Sequence, residues 1–124
     1  MVEFMRGKIA AGLGQGQYFI SREGYSRQFL QHLGFVPFPG TLNVLLEKPF
    51  PAEQQAIRIE GFQQEVQIFG ECQCYRIKLN GIEAAVVRPE RSRYPAELIE
   101  VIAPVQLRLA LGLEDGDAVE LTLV

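Results

Sequence analysis

Short apolar stretches, several with polar residues at every second position, follow one another along most of this chain and are separated by turn-forming residues. This pattern is typical of short β-strands. Asn80-Gly81 stands between two of the stretches and is a dipeptide that two-residue hairpin turns favour. The predicted strands are residues 4–11, 17–20, 42–46, 57–60, 65–69, 72–79, 82–89 and 98–103, and the alternating segment after Asp115-Gly116.

Two segments follow a helical period instead. Between residues 21 and 33 the apolar side chains Tyr25, Phe29, Leu30 and Leu33 recur at helical spacing, and Gly34 is a suitable residue to end the helix. The segment PVQLRLALG predicts a second, shorter helix that opens at Pro104 and ends at Gly112.

The order of these elements defines the fold class. Strands do not alternate regularly with helices, which argues against a doubly wound parallel sheet. Many short strands with turn signals and two helices indicate a compact, mainly β domain that closes into a barrel. A chain of 124 residues without internal repeats or linkers is expected to form one domain.

Composition and charge narrow the function classes. No apolar run approaches the ~20 residues that a membrane-spanning helix needs, and Glu3, Arg6 and Lys8 interrupt the N-terminal segment, unlike a secretory signal. We therefore expect a cytoplasmic protein. The net charge of −3 argues against a general nucleic-acid binder. The basic cluster Arg88, Arg91 and Arg93 is compatible with a solvated loop or with a loop that faces an anion.

Nucleophilic and zinc chemistry have little support. Cys72 and Cys74 form a C-x-C pair without the second pair that a zinc site would need. We expect two reduced cysteines on a strand. His32, the single histidine, falls on the first predicted helix and is expected at its surface.

The segment GLGQGQYF, residues 12–19, has glycine at three alternate positions. It is not a Rossmann fingerprint, because its third glycine has the wrong spacing and no helix opens directly behind it. The chain also has no P-loop motif. A bulge or barrel corner explains the glycines, and so does a backbone that a phosphate or a ribose approaches closely.

Two further motifs carry oxygen ligands. In PFPGTLN, Thr41 and Asn43 are two residues apart, so an extended chain directs both side chains to one face. Their oxygens suit Mg2+, and a proline-stiffened turn would also use them locally. Glu100 is flanked by apolar residues, which is compatible with an outward-facing strand residue or with a desolvated proton acceptor at a pocket edge.

The second predicted helix is a candidate anion site. A helix that opens at Pro104 offers free N–H groups to an anion. Arg108, one turn further on, could stack on a base or pair with a phosphate. A helix with a surface arginine explains the same residues.

Taken in order, GLGQGQYF, GFVPFPGTLN, LIEVIAPVQLR and LGLEDGD resemble segments of the CTP-dependent riboflavin kinases typical of archaea. The resemblance lies in order and spacing over essentially the whole chain, and GTLN and IEVIAP are its most specific parts. It implies a mainly β fold: a six-stranded cradle-loop barrel of the riboflavin kinase type with one or two short helices. It also implies transfer of the γ-phosphate of CTP to the 5′-hydroxyl of riboflavin, giving FMN and CDP.

The same resemblance implies roles for individual residues. Thr41 and Asn43 would hold one Mg2+ ion, Ser92 and Glu100 would contact the flavin, and Glu100 is the candidate for orienting or deprotonating the ribityl hydroxyl. The residues implied in nucleotide binding are Leu13, Gly14, Gln15, Gly16, Gln17, Tyr18, Val105, Gln106, Leu107 and Arg108.

Some family members carry an N-terminal winged helix-turn-helix. We expect residues 1–124 to be a single barrel domain without one, acting as a monomer on riboflavin and CTP and binding neither nucleic acid nor membrane. Two alternatives remain: a barrel that binds a flavin or nucleotide without catalysis, and a DNA-binding β-barrel regulator. The second rests on LGLEDGDAVELTL, which also resembles the end of swapped-hairpin transcription factors, and the negative net charge counts against it.

Overall fold

The strands of this protein form an antiparallel sheet that closes on itself. The structure is a computed structural model that describes residues 4–12, 20–51, 56–90 and 94–124. The strands in these segments are β1 (Phe4–Ala10), β2 (Leu42–Leu46), β3 (Ile57–Ile59), β4 (Phe62–Gln64), β5 (Gln67–Phe69), β6 (Cys72–Leu79), β7 (Ile82–Pro89), β8 (Leu98–Ile102) and β9 (Ala118–Leu123). The helices there are α1 (Glu23–Leu33) and α2 (Leu107–Leu111).

Closure comes from strand β9, which pairs with β1 on one side and with β6 on the other. Around the barrel the order is β6, β7, β8, β2, β1, β9 and back to β6, with every pairing antiparallel. Strand β3 extends the sheet beside the first half of β6, and β4 and β5 form a separate hairpin. Within the described segments, the prediction of a six-stranded barrel with two helices is confirmed.

The barrel interior is filled with side chains from alternate positions of its strands, as the two-residue period requires. Gly7 of β1 also allows a close approach between β1 and β2, because a Cβ there would lie 2.7 Å from the backbone oxygen of Leu45. The buried interior residues are Ile9, Leu42, Val44, Leu46, Phe50, Tyr75, Ile77, Leu79, Ala84, Val86, Ile99, Val101, Ala103, Leu107, Val119 and Leu121.

Helix α1 covers part of the barrel's outer wall and forms a second apolar cluster there. Tyr25, Phe29 and Leu33 are four residues apart, so they share one helix face, and all three are buried. They pack among Ile20, Ile59, Phe69, Cys72, Cys74, Ala85, Val87 and Ile102. The helix ends at Gly34, whose φ of 83° is left-handed and favours glycine.

Several element predictions need correction. Residues 65–69 are not one strand: β4 and β5 turn at Glu65, which has a left-handed φ of 56°. The second helix begins at Leu107 rather than Pro104, because Gln106 is still extended. The strand predicted at 17–20 lies outside the described residues except for Ile20, which belongs to no strand.

The cysteine and histidine predictions hold where the structure describes these residues. Cys72 and Cys74 are free and buried on β6. A hydrogen bond to Cys72, together with burial, raises the pKa of the Cys74 thiol, which keeps it protonated and unreactive. His32 is exposed on α1.

Replacing Phe29 by alanine should destabilise the protein strongly, because Phe29 is 0% exposed between α1 and the barrel wall. We expect a loss of about 3–5 kcal/mol in the free energy of unfolding, measured by urea denaturation. Leu30→Ala is the matched control, since the neighbouring Leu30 is 50% exposed and should cost little. Equal losses in the two variants would contradict this account of how α1 packs.

Candidate functional site

Three polar side chains share one region of the barrel's outer wall: Thr41, Asn43 and Glu100. Strand parity puts them there. Leu42 of β2 and Val101 of β8 belong to the interior cluster, so their sequence neighbours point outward. The strand predicted at 42–46 forms as β2. Its alternation places Asn43 on the same face as Thr41, the residue directly before the strand.

Asn43 lies at the centre of this region. It is directly opposite Glu100 in the β2–β8 register and opposite Ala10 in the β1–β2 register. It is 5% exposed and is the one buried polar residue in the described part of the chain. A Cβ on Gly12 would lie 3.2 Å from Asn43 Nδ2, so the chain passes close to this amide as it leaves β1.

Glu100 is half-buried and forms a hydrogen bond with the loop before β2. The hydroxyl of Thr41 donates a hydrogen bond to Glu100 Oε1 at 3.1 Å. Burial raises the pKa of Glu100, and the Thr41 hydrogen bond acts in the opposite direction. The carboxyl group therefore has the partly desolvated environment that a proton acceptor needs, and the hydroxyl orients one of its oxygens.

A cavity of about 180 Å³ opens beside Thr41. A hydrogen bond of 2.8 Å from Phe38 N to Ala103 O joins its two sides. The residues that line it are Phe38, Pro39, Gly40, Thr41, Leu42, Val101, Ala103, Val105, Gln106, Leu107 and Arg108. Thr41 thus belongs both to the polar group on the outer wall and to the lining of the cavity.

Arg108 is the charged residue among those that line this cavity. Its Nη2 atom donates to Asp115 Oδ1 at 2.6 Å and lies 3.5 Å from the carbonyl oxygen of Ala10. The guanidinium group therefore joins α2, the turn before β9 and the end of β1. Helix α2 has only five residues and begins at Leu107, so it is shorter than the helix predicted to open at Pro104.

The structure brings together most of the predicted site residues that it describes. Thr41, Asn43 and Glu100 form one group, and residues 105–108 meet Thr41 at the cavity. Leu13 to Tyr18 and Ser92 lie outside the described residues, although Gly12, directly before the first set, is beside Asn43. Arg91 and Arg93 lie outside them too, and Arg88 donates to Pro95 O at 3.4 Å.

Two parts of the site were not predicted from the sequence. The sequence predicts a proline-stiffened turn for Phe38 to Gly40, and the structure shows that these residues also form one side of the cavity. Asp115 was recognised as a turn residue, whereas its carboxylate binds Arg108. The prolines and glycine predict a shaped turn but not that it borders a cavity. The seven-residue separation of Arg108 and Asp115 follows no helix or strand period.

The donor set suits a hard divalent cation. Within the described ranges no three His, Cys, Asp or Glu residues cluster in a way that could hold a metal. Thr41 and Asn43 instead offer a hydroxyl and an amide oxygen beside the Glu100 carboxylate. Few protein oxygens, with the remaining positions left to water and phosphate, are what Mg2+ commonly uses in phosphate-binding sites.

Fold and site together define a closed β-barrel with a polar site on its outer wall, next to a cavity of about 180 Å³. The chain belongs to the CTP-dependent riboflavin kinase domain family, described as Domain of unknown function DUF120, whose family model matches residues 9–123. The predicted family membership is confirmed. No helix in the described segments is both long and apolar enough to cross a membrane.

Curated relatives from archaea are similar to this chain along almost all of its length, and each is named riboflavin kinase. A protein of Methanocella arvoryzae is 57% identical over 120 residues, which cover 96% of this chain and 56% of the relative. One of Methanosarcina acetivorans is 53% identical over 93% of this chain and 51% of the relative. One of Archaeoglobus fulgidus is 46% identical over 97% and 54%. The chain spans about half the length of these relatives.

Thr41→Val should raise the pKa of Glu100 further, because it removes the hydrogen bond that lowers it. A folded-state pKa above the unfolded one gives a stability contribution that is complete below the unfolded-state pKa and is lost as the pH rises through the folded-state pKa. In Thr41→Val this loss should be larger and should extend to higher pH, because only the folded-state pKa changes. The measurements are an NMR titration of the Glu100 carboxyl carbon and the pH dependence of the free energy of unfolding.

Adding Glu100→Gln to each background is the control, since both proteins should then lose this pH dependence. A Glu100 pKa that is unchanged or lower in Thr41→Val would contradict the proposed effect of the hydrogen bond.

Proposed function

We propose that this chain transfers the γ-phosphoryl group of CTP to the 5′-hydroxyl of riboflavin, giving FMN and CDP. The observation that carries the proposal is the position of Thr41, which bonds Glu100 on the outer wall and also lines the cavity with residues 105–108. A carboxylate for an acceptor hydroxyl and a pocket for a donor nucleotide thus adjoin each other. The relatives' names support riboflavin phosphorylation, and the family's name supports CTP as the donor.

The nucleotide is proposed to bind in the cavity. Phe38 and Val105 are exposed apolar side chains at its lining and offer surface for a base, while Arg108 offers a planar cation for phosphate. The residues Leu13, Gly14, Gln15, Gly16, Gln17 and Tyr18 are proposed to complete the nucleotide site. Support for this comes from Gly12, which leads into them beside Asn43.

One Mg2+ ion is proposed to bind at Thr41 and Asn43. When bound, it would neutralise charge on the phosphates during transfer. Asn43 is buried on β2, between β1 and β8, and this burial restricts where its side chain can lie. Thr41 lies two residues before Asn43, so its hydroxyl oxygen is the second ligand on the same face.

Glu100 is proposed to orient and deprotonate the ribityl hydroxyl. The hydroxyl oxygen then forms a bond to the γ-phosphorus, the bond between that phosphorus and the β,γ-bridging oxygen breaks, and CDP leaves. The released proton passes to the Glu100 carboxylate. Its desolvation raises its pKa and makes it a better acceptor than a fully solvated glutamate. Ser92 is proposed as a further flavin contact.

Incubation of the protein with riboflavin, Mg2+ and one nucleoside triphosphate at a time, followed by chromatography of the flavins, tests the reaction and its donor. We expect FMN with CTP and its loss when Mg2+ is chelated. FMN with ATP alone would keep the reaction and contradict the donor. No FMN from a folded sample that binds riboflavin or CDP would favour the non-catalytic binding barrel.

Glu100→Gln should lower kcat by about 10²–10⁴-fold, because the amide cannot accept the hydroxyl proton. The KM for riboflavin should change little, since size and shape are kept. In the unaltered protein kcat should rise with pH through the raised pKa of Glu100. Steady-state kinetics over a pH series measure both effects.

Glu83→Gln is the matched control, because Glu83 is an exposed carboxylate on β7. It should keep the kcat of the unaltered protein. Unchanged turnover in Glu100→Gln would remove Glu100 from the chemistry and leave only a contact role.

A further inference from the structure

We propose that Asp115 is a positioning residue that holds Arg108 in place for the phosphates of the nucleotide. This inference rests on the proposed function, because it takes the cavity beside Thr41 to be the nucleotide site. Asp115 does not line the cavity, so it would act through Arg108 and not by touching the nucleotide.

The geometry of the guanidinium group supports this role. Its Nη2 atom has two acceptors, Asp115 Oδ1 at 2.6 Å and Ala10 O at 3.5 Å. Within the described part of the chain Nε and Nη1 have no hydrogen-bond partner. A guanidinium is rigid and planar, so holding one corner restricts the direction of its other donors. Those donors belong to a side chain that lines the cavity.

The backbone that carries this carboxylate is held by hydrogen bonds on both sides of Asp115. Asp115 lies in a turn that hydrogen bonds close internally, from Glu114 N to Asp117 Oδ2 at 2.8 Å and from Asp117 N to Glu114 O at 3.0 Å. Two more bonds, Gly116 N to Ile9 O at 2.8 Å and Ile9 N to Asp117 O at 2.9 Å, attach the turn to β1. A carboxylate on such a turn can impose a direction on its partner.

The ion pair is too exposed to be explained by stability. The Arg108 and Asp115 side chains are 39% and 60% exposed, and ion pairs of this kind contribute little to folding. An acidic residue beside a phosphate site also repels the ligand. Repulsion by Asp115 lowers the affinity for the nucleotide, whereas its orientation of Arg108 raises it. Removing the Asp115 charge therefore changes the measured affinity in a direction that shows which effect is larger.

The test is CDP binding by titration calorimetry in Asp115→Asn, which removes the charge and keeps the size. We expect the Kd of CDP to rise by about five- to tenfold. The KM for CTP should rise similarly, whereas the KM for riboflavin should stay unchanged. Glu120→Gln is the matched control: it breaks an exposed ion pair with Arg6 on the neighbouring strands and should not change CDP binding.

A double-mutant cycle shows whether Asp115 acts through Arg108. Arg108→Gln should weaken CDP binding, and adding Asp115→Asn to it should cause no further loss, because without Arg108 the second change only removes the repulsion between Asp115 and the phosphates. Unchanged or tighter CDP binding in Asp115→Asn would overturn the inference. So would an equal loss in the presence and absence of Arg108, because Asp115 would then act independently of it.

The cycle also separates this inference from the proposed function. If the unaltered protein binds CDP and the cycle behaves as expected but no FMN forms with any donor, the kinase reaction fails and the positioning role stands. If FMN forms and Asp115→Asn behaves like the unaltered protein, only the positioning role fails. Absence of CDP binding by the unaltered protein overturns both.

Discussion

The register between β2 and β8 is the constraint on which the site depends. It pairs Leu42 with Val101 inside the barrel and Asn43 with Glu100 outside it. A slip of one residue would turn every side chain of β2 to the opposite face, which would bury Asn43 in the apolar interior and expose Leu42. The hydrophobic interior therefore determines where the polar groups stand. The same packing that stabilises the barrel aligns the oxygens on its outer wall.

Much of the fold could be predicted because alternation is a local property. The bounds of β2, β6 and β7 agree with the predicted strands, and Asn80-Gly81 forms the expected turn, with φ values of 46° and 86°. The errors fall where the local signal is absent or ambiguous. Glu65 adopts a left-handed turn conformation, and no glycine or proline at the turn predicts it. A proline at 104 is compatible with a first helical turn and equally with the non-helical residues that precede α2.

The site was less predictable, because its members meet through tertiary pairing. Two-residue spacing placed Thr41 and Asn43 on one face, and this needed only strand parity. Their meeting with Glu100 depends on a pairing across 59 residues of chain, measured from Thr41, which no local pattern encodes. Among the sequence signals, only the resemblance to a family predicts that these segments contribute to one site. Asp115 shows the same limit: its turn was predicted, but its contact with Arg108 follows from how that turn docks on β1.

The charges of the described site indicate that a triphosphate would need a bound cation there. The guanidinium of Arg108 is already balanced by Asp115, and Glu100 adds a further negative charge when it is ionised. These three groups together offer no net positive charge to a triphosphate. A cation that arrives with the nucleotide would supply what they lack, and the neutral oxygens of Thr41 and Asn43 can bind it without adding more negative charge. The arrangement is consistent with this proposal. Thr41 and Asn43 offer neutral oxygens, Glu100 is a partly desolvated carboxylate, and Arg108 is paired with Asp115. In the proposed reaction the protein would supply direction, and the bound cation would supply most of the positive charge.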